Sequence, residues 1–374
     1  MNLKFNKVGT RVSEQLPNFA SRRVIRPPGG PQKFLPRHGN NQPASNGRKY
    51  VRWGFKGLAV IVGAILAVAG ISAFDLYSTL NRDNIVLANV GDIDLNGPLN
   101  ILLVGSDTRD GQGEEFGDVD SELADVIMLL HISENRKDAV VVSFPRDLLV
   151  SIPECPNPDG GTFAAKTRKQ INSSIGYGGV ACTHLTVQEF TGLKIPFVAM
   201  IDFKGVIEMS NAVGGVEVEI DKSISDAYSN FYIEAGTHNL KGAEALGFLR
   251  TRHGIGDGSD LARISNQQLF LMSLFNKIKD DGTLNNPLRL YSLSSAAARN
   301  MKLSESMTDI GTMVTLAGAL REVDSSKMVF TQVPTRVLSG SEEGRLESMS
   351  EEAKTLFGLI RDDLPVVIEA TPAP

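Results

Sequence analysis

Arginines and aspartates stand directly after the apolar, strand-like runs of this 374-residue chain. Asp107 and Arg109 follow the run 100–104, and Arg146 follows the run 139–144. Guanidinium groups make two-pronged hydrogen bonds to phosphate oxygens, and carboxylates hold a hard divalent cation that shares those oxygens. Several arginines together with a few aspartates therefore indicate a pyrophosphate site.

The segment from Asp260 to Gln267 is the sharpest local signal. Asp260, Arg263 and Gln267 are spaced by three and then four residues, so they share one stripe of a predicted helix. This stripe lies near the helix N-terminus, where free N–H groups and the helix dipole favour an anion. Capping is the ordinary role of an aspartate at this position. Capping does not explain Arg263, which the dipole disfavours unless an anion offsets it.

Two further arginines, Arg250 and Arg252, come just before this helix. They alternate on a segment that we predict to be extended, so their side chains should point to the same side. The glycine-rich link 254–258 can fold this segment back onto the helix.

The carboxylates of Asp107 and Asp125 can come together if their strands are neighbours in a twisted sheet. Two carboxylates plus phosphate oxygens are a usual way to hold Mg²⁺. The alternative is structural, with Asp107 capping a turn and Asp125 making a surface hydrogen bond. The glycine-rich run 176–179 lacks the Lys-Ser/Thr of a phosphate-binding loop, and a turn is the better interpretation.

The charge of the chain is divided sharply. Residues 1–56 carry 12 basic residues and one acidic residue, whereas the remainder carries 26 basic and 42 acidic residues. Between the two parts, the uncharged run 57–74 would span about 27 Å as a helix, enough for the hydrocarbon core of a bilayer. The positive-inside rule then places the N-terminus in the cytoplasm and the folded part outside. A cleaved signal peptide or a buried helix are alternatives, although the long basic leader favours an uncleaved anchor.

These features predict the domain organisation of a single-pass plasma-membrane protein. We expect a disordered basic cytoplasmic tail over 1–52, a transmembrane signal-anchor over 53–77 and a connector over 78–97. A folded domain over 98–340 and a C-terminal helix and tail over 341–374 follow. The acidic outer part argues against nucleic-acid binding.

Strand-like and helical patterns alternate from residue 99 onward. They predict a single extracytoplasmic α/β domain, an α-β-α sandwich with a mostly buried mixed sheet and a hairpin between 125–132 and 139–144. The other predicted strands are 100–104, 197–203, 216–220 and 328–333. Helices are predicted near 183–191, 203–213, 240–248, 261–279, 287–300, 304–320 and 350–361.

The two cysteines, Cys155 and Cys182, both lie in the predicted outer part. An even pair in an oxidising compartment favours a disulfide, although two free buried thiols are an alternative. A metal site is disfavoured because two thiols supply too few ligands, and the five histidines show no metal-ligand spacing.

Several motifs in a fixed order resemble the LytR-CpsA-Psr family of bacterial cell-wall ligases, over about residues 99–335. The paired cysteines and the stretch 253–258 resemble actinobacterial members. The motifs, all read from the sequence, are Asn100–Arg109, Ala124-Asp125, Pro145-Arg146-Asp147, Ile171-Asn172, Gly176–Gly179, Val213–Val216, Arg250-Thr251-Arg252 and Asp260-x-x-Arg263-x-x-x-Gln267.

The resemblance implies a phosphotransferase. Members are taken to move a glycopolymer from a polyprenyl-pyrophosphate carrier to a wall acceptor, usually the C6 hydroxyl of muramic acid in peptidoglycan, through a phosphodiester link. It implies Mg²⁺ (or Mn²⁺) held by Asp107 and Asp125, and an apolar lipid tunnel between sheet and helices. The implied catalytic residues are Asp107, Asp125, Arg146 and Arg263, and the implied pyrophosphate ligands are Arg109, Arg146, Arg250, Arg252, Arg263 and Gln267.

Four positions depart from the family pattern. Leu123-Ala124 replace an Arg-Ser pair, Gln170 replaces a lysine, and Asn266 replaces an arginine. The alternatives to a peptidoglycan ligase are a non-enzymatic polyprenyl-phosphate carrier or sensor, and the same chemistry with a surface protein or water as acceptor.

Overall fold

The computed structural model describes residues 75, 78–79, 84–88, 90–107, 123–157, 160–227, 229, 231–252, 260–339 and 344–367. The chain divides into two units, 1–62 and 63–374, and every described residue belongs to the second. The predicted tail and, apart from Asp75, the predicted anchor lie outside the described residues. Within those residues, no helix has the length and hydropathy needed to cross a membrane.

The described part contains a set of strands, several of which are only two or three residues long. They are β1 (Leu99–Ser106), β2 (Ala124–Ile132), β3 (Ala139–Ser143), β4 (Leu149–Ile152), β5 (Cys155–Pro156), β6 (Thr162–Phe163), β7 (Lys166–Gln170), β8 (Phe197–Ile201), β9 (Val216–Ile220), β10 (Ile224–Asp226), β11 (Phe231–Ile233), β12 (Gly236–Leu240), β13 (Met301–Leu303), β14 (Met328–Gln332), β15 (Thr335–Val337) and β16 (Leu346–Ser348).

The helices match the predicted ones in place, and two match in both bounds. They are α1 (Ser174–Thr191), α2 (Phe203–Ala212), α3 (Ala243–Arg250), α4 (Asp260–Asp280), α5 (Pro287–Asn300), α6 (Ile310–Glu322) and α7 (Ser350–Arg361). Helix α6 begins six residues later than predicted, because the Asp309 side chain caps it by accepting from the Thr312 amide at 2.7 Å.

A mixed sheet with the strand order β13-β8-β1-β2-β3-β14 forms the centre of the described domain. Strand β1 pairs parallel with β8 and antiparallel with β2. Strands β2 and β3 form the predicted antiparallel hairpin, and β14 lies parallel to β3. The prediction of a mixed sheet is confirmed.

Helices cover both faces of this sheet, as predicted, because alternate residues of each strand point to opposite faces. Leu102 and Leu129 pack in one core with α1 and α7 residues such as Phe357. Ile101 and Leu130 pack in a second core with α4 and α6. The α/β layering of the sequence prediction is therefore observed.

Strand β9 has the bounds predicted for it but lies outside the central sheet. It pairs with β12 in a separate two-stranded ribbon, and the short strand β13, which was not predicted, forms one edge of the central sheet. The pattern of β9 is strictly alternating, which suits a ribbon with one exposed face. Strand β13 is three residues long, too short for a periodic signal.

The predicted disulfide between Cys155 and Cys182 is present and joins β5 to α1. Helix α1 is interrupted between the cysteines at Gly178 and at Gly179, whose φ is 65°. A Cβ atom on Gly178 would lie 2.6 Å from the Pro156 carbonyl oxygen. The glycine run predicted as a turn is thus a break within a helix, and it permits close approach of the disulfide-linked strand.

Candidate active site

A β-bulge positions Asp125 at the end of the β1–β2 pair. Gly105 pairs with Val126 and Ser106 with Ala124, so the register shift leaves Asp125 without a direct partner across the strands. Bulges redirect a side chain and are common next to active sites. The Asp125 side chain is 23% exposed, which places it between core and solvent.

Three guanidinium groups surround the Asp125 carboxylate. Its Oδ1 atom lies 3.3 Å from Nη1 of Arg146, 3.6 Å from Nη1 of Arg263 and 3.9 Å from Nη2 of Arg252. Because arginine stays protonated, the carboxylate lies among three positive charges. The arrangement brings together three predicted phosphate ligands around one predicted metal ligand.

Arg263 occupies the first turn of α4 and is only 3% exposed. Its Nη2 atom also donates to the main-chain oxygen of Asp125 at 3.1 Å. Asp125 is therefore an anion that offsets the unfavourable helix dipole at Arg263. One turn later, Gln267 is buried and donates to the Leu249 carbonyl at 3.3 Å. The predicted stripe is confirmed for Arg263 and Gln267, whereas the side chain of Asp260 lies outside the described residues.

The prediction of an extended segment at Arg250 is wrong, because helix α3 continues through this residue. The helix ends when Thr251 turns to an extended conformation and its amide donates to Gly247. The Arg250 guanidinium lies 4.4 Å from the ring centroid of Phe203, a cation–π contact. Both arginines still lie at the site. Arg252 contacts the Asp125 carboxylate, and Arg250 lines the cavity described below.

Asp147 contacts Arg146, and Gln170 in turn contacts Asp147. The Arg146 Nε atom lies 3.3 Å from Asp147 Oδ2, and Gln170 Nε2 donates to Asp147 Oδ1 at 2.6 Å. The predicted end-of-strand position of Arg146 is confirmed. Gln170, which departs from the family pattern, has a defined role as a hydrogen-bond donor to Asp147.

Asp107 stands one residue beyond β1, at the same end of the sheet as Asp125. The Leu123 amide donates to Asp107 Oδ1 at 2.8 Å, and the Asp107 amide donates to the Leu123 carbonyl at 3.1 Å. These two hydrogen bonds join the end of β1 to the residue before β2, so they are not the local turn cap considered for Asp107. Arg109 lies outside the described residues.

The carboxylates of Asp107 and Asp125 are the candidate ligands for a metal ion. No cluster of three or more acidic, histidine or cysteine side chains suited to a metal occurs among the described residues. Mg²⁺ does not require one, since it is commonly bound by one or two carboxylates and by substrate phosphates. Asp107 and Asp125 therefore fit a cation shared with a phosphate substrate.

An apolar cavity of about 330 Å³ opens at the arginine cluster. It lies between the sheet and helices α2, α3, α4 and α5. Its polar lining comes from Ser106, Asp125, Ser210, Arg250, Arg263 and Gln267. Apolar side chains from the sheet and the four helices form most of its wall. The cavity can hold a long apolar chain whose charged end meets the arginines.

Three residues of the site were not predicted as such. Asp226 is buried and accepts from the Arg252 amide at 2.9 Å, Phe203 lies beneath Arg250, and Gln170 orients Asp147. Each acts on a residue far away in the sequence, so no local spacing identifies it.

Residues 67–357 match the model of the LytR_cpsA_psr family. The chain is 30% identical over 327 residues to the probable cell wall biosynthesis protein LcpB of Corynebacterium glutamicum, covering 84% of this chain and 74% of LcpB. It is 27% identical over 305 residues to the cell wall biosynthesis protein LcpA of the same organism, covering 75% of this chain and 57% of LcpA. The alignment thus spans little more than half of LcpA.

A third relative is the polyisoprenyl-teichoic acid–peptidoglycan teichoic acid transferase TagT of Bacillus subtilis, at 29% identity over 61% of this chain and 66% of TagT. The crystal structure of B. subtilis TagV has the same fold, with a TM-score of 0.57 and 20% identity over 73% of this chain and 99% of TagV. A LytR-Csp2A-Psr enzyme from Actinomyces oris gives a TM-score of 0.56 and 18% identity over 75% and 95% of the two chains. The chain belongs to the LytR_cpsA_psr family.

Proposed function

We propose that this protein moves a glycopolymer from a polyprenyl-pyrophosphate carrier to a hydroxyl group of peptidoglycan, the muramic acid C6 hydroxyl. The observation that carries this proposal is the junction between the apolar cavity and the Asp125–arginine cluster. A lipid pyrophosphate joins an apolar chain to a dense negative charge in the same way. The name of TagT, a teichoic acid transferase acting between a polyisoprenyl compound and peptidoglycan, supports the reaction class.

The arginines would bind the pyrophosphate oxygens and stabilise the charge that develops as the lipid phosphate leaves. Asp125 and Asp147 already hold Arg146, Arg252 and Arg263 in place through contacts of 3.3 to 3.9 Å. This arrangement lowers the reorganisation needed when the substrate binds, because the guanidinium groups converge before the phosphates arrive.

In the proposed step, the acceptor hydroxyl oxygen forms a bond to the sugar-linked phosphorus. The bond from this phosphorus to the bridging oxygen breaks, and polyprenyl monophosphate leaves with the electron pair. The hydroxyl proton passes to a carboxylate. Asp107 and Asp147 are the two carboxylates proposed for this general-base role; Arg146 and Gln170 contact Asp147, and the Leu123 amide donates to Asp107.

Asp107 and Asp125 would hold Mg²⁺ or Mn²⁺ together with the substrate. When bound, the ion would neutralise charge on the pyrophosphate oxygens. Asp107 and Asp125 lie at the same end of the paired strands β1 and β2, which supports this assignment.

We further propose that the segment 53–77 anchors the chain in the plasma membrane, with the folded domain on the outer side. Asp75 at the end of this segment lies 2.9 Å from Arg299 of α5, and Leu293 of the same helix lines the cavity. The chain would thus leave the membrane beside a helix that covers the lipid site. This supports delivery of the lipid from the membrane that holds the anchor.

The test uses the full-length chain in lipid nanodiscs. The donor is a farnesyl-pyrophosphate-linked saccharide, the acceptor is a soluble peptidoglycan oligomer, and mass spectrometry detects the phosphodiester product. Product formed by the wild type and lost in Asp125→Asn supports a ligase. Sugar phosphate and farnesyl monophosphate released without acceptor labelling would indicate water as acceptor, and donor binding without turnover would indicate a carrier.

A further inference from the structure

A second cavity, of about 460 Å³, lies between strands β11 and β12 and the start of helix α3. Tyr232, Glu234, His238, Asn239 and Glu244 line it, and we call it the polar cavity. It shares no lining residue with the apolar cavity. None of the residues proposed to bind phosphate or metal lines it either. Its size is in the range of cavities that bind small ligands, so it is a candidate for a separate binding site.

Hydrogen bonding and packing fix the walls of the polar cavity. The His238 Nε2 atom donates to the Glu234 carbonyl oxygen at 2.9 Å and so ties β12 to the end of the β10–β11 hairpin. Phe231, which also lines the cavity, is buried and packs against Phe248 of α3 with 6.4 Å between ring centroids. The cavity is therefore preformed, which reduces the ordering that a ligand must impose.

The lining combines hydrogen-bond acceptors with an exposed aromatic ring. When ionised, the carboxylates of Glu234 and Glu244 accept hydrogen bonds and donate none. Tyr232 is 66% exposed, and its hydroxyl donates to Glu234 Oε1 at 3.3 Å. A matching ligand therefore presents several donors beside an apolar face. The hydroxyl groups and the C–H face of a sugar ring meet both requirements.

The charge and size of the polar cavity narrow the ligand class. Its two carboxylates, Glu234 and Glu244, repel an anion. An ammonium group would pair with them and with the Tyr232 ring, but it would fill little of a 460 Å³ cavity. An uncharged saccharide uses the carboxylates, the ring and the volume together.

Helix α3 connects the polar cavity to the arginine cluster. Glu244 lies in its first turn, and Arg250, which lines the apolar cavity, lies in its last turn, about 9 Å farther along the helix axis. The β10–β11 hairpin makes a second link, because the Arg252 amide donates to Asp226 of β10 at 2.9 Å. A short oligosaccharide covers such a distance, so one glycan chain can reach from the polar cavity to the arginines.

The two proposed reactants differ in what can hold them at the arginine cluster. The donor carries phosphates, which guanidinium groups bind strongly, whereas an uncharged sugar of the acceptor gains little from them. We propose that the polar cavity binds an uncharged sugar unit of the acceptor glycan strand. Binding there orients the nearby sugar whose hydroxyl reacts. The inference rests on the proposed function and adds where the acceptor binds.

The test measures KM for the peptidoglycan oligomer with the full-length protein in nanodiscs and the farnesyl-pyrophosphate-linked donor. Tyr232→Ala removes the ring, and Glu244→Gln removes one carboxylate. Each variant should raise the acceptor KM about tenfold while the donor KM keeps its wild-type value, because the lost contact is made to the acceptor alone. Chitotetraose, an uncharged N-acetylglucosamine oligomer without peptide, should compete with the acceptor, and its inhibition constant should rise in both variants.

Two control variants separate this contact from general charge and from the fold. Glu219→Gln removes the same charge at an exposed position of β9 that does not line the polar cavity, and it should keep the wild-type KM values. Tyr232→Phe retains the ring and should restore most of the acceptor affinity that Tyr232→Ala loses.

The outcomes distinguish this inference from the proposed function. Transfer by the wild type with an acceptor KM that neither variant changes overturns the inference and leaves the ligase standing. Absence of transfer by the wild type overturns the ligase and, with it, the acceptor role of the polar cavity. An increase in the donor KM alone would assign the cavity to the donor glycan and overturn the inference. An effect on the peptide-bearing acceptor without an effect on chitotetraose would assign the cavity to a peptide amine and also overturn it.

Discussion

The guanidinium group of Arg263 contacts both the carboxylate and the main chain of Asp125. Nη1 lies 3.6 Å from Oδ1, and Nη2 donates to the main-chain oxygen at 3.1 Å. The contact joins the first turn of α4 to the bulge of β2, two elements 138 residues apart. It closes the polar end of the apolar cavity, because both residues line it. The geometry of the candidate site therefore includes a contact between distant parts of the chain.

The length of the cavity predicts a dependence on the donor lipid. Ile278 lines the cavity 11 residues after Gln267 on α4, about 16 Å farther along the helix axis. Ile278→Trp should shorten the cavity and lower the turnover ratio of undecaprenyl to geranyl donor about tenfold, as expected when several methylene contacts are lost. Leu269→Trp, on the exposed side of the same helix, is the matched control. Equal ratios in wild type and Ile278→Trp would show that the lipid lies elsewhere.

The proposed metal role predicts that EDTA reduces turnover to background and that Mg²⁺ or Mn²⁺ restores it. Asp107→Asn should raise the Mg²⁺ concentration for half-maximal turnover by tenfold or more, because one of two carboxylate ligands is lost. The measurement is a Mg²⁺ titration of donor turnover with each protein. Full turnover in excess EDTA would rule out the metal.

Substitution by alanine at two glycines, Gly178 and Gly318, should have opposite effects on the free energy of unfolding. Gly178→Ala should lower the free energy of unfolding by about 1–3 kcal/mol, since the new Cβ would lie 2.6 Å from the Pro156 carbonyl oxygen. Gly318→Ala in α6 meets no atom within 4 Å and should raise stability by about 0.5–1 kcal/mol. Thermal unfolding of the two variants checks the pair. A stabilised Gly178→Ala protein would contradict the described approach of β5 to α1.

The buried His184 predicts a pH dependence of stability. Burial lowers the pKa of His184, and its Nε2 donates to the Ile195 carbonyl at 2.8 Å while Nδ1 has no hydrogen-bond partner among the described residues. The folded state therefore binds fewer protons than the unfolded state at pH values below the ordinary histidine pKa of about 6.5. Stability is fully present above this pH and falls as the pH drops below it.

Unfolding in denaturant between pH 5 and pH 8 measures this effect. His184→Gln removes the titrating group and should give a flatter pH profile below pH 6.5 than the wild type. His131, whose pKa burial also lowers, remains in both proteins and contributes the same slope to each. Identical slopes in the two proteins would show that His184 does not titrate on unfolding.

Much of the central fold could be predicted from the sequence, because its strands are continuous apolar runs and its helices have strong periodicity. The β2–β3 hairpin, α5 and α7 are examples. The small ribbons could not, apart from strand β9, which has the predicted bounds. Strand β7 has the sequence Lys-Thr-Arg-Lys-Gln, without an apolar residue, and it is a strand because it pairs with the buried β4. Tertiary pairing outweighs local preference there.

The site was predictable where spacing within one element places the side chain. Arg263 and Gln267 are four residues apart on α4, and both line the cavity. Arg250 was placed on the wrong kind of element, since nothing in the sequence before Thr251 ends helix α3. Asp226 and Phe203 act through contacts with distant residues, which only the folded chain supplies.

The most direct test of the central claim separates binding from chemistry at Arg263. The variants Arg263→Lys and Arg263→Ala, as full-length protein in nanodiscs, are assayed for donor affinity and for single-turnover transfer to a peptidoglycan oligomer. A ligase predicts that transfer falls at least 100-fold while Arg263→Lys still binds the donor, because a lysine cannot replace the two-pronged contact in the transition state. Transfer at the wild-type rate in both variants would contradict the account.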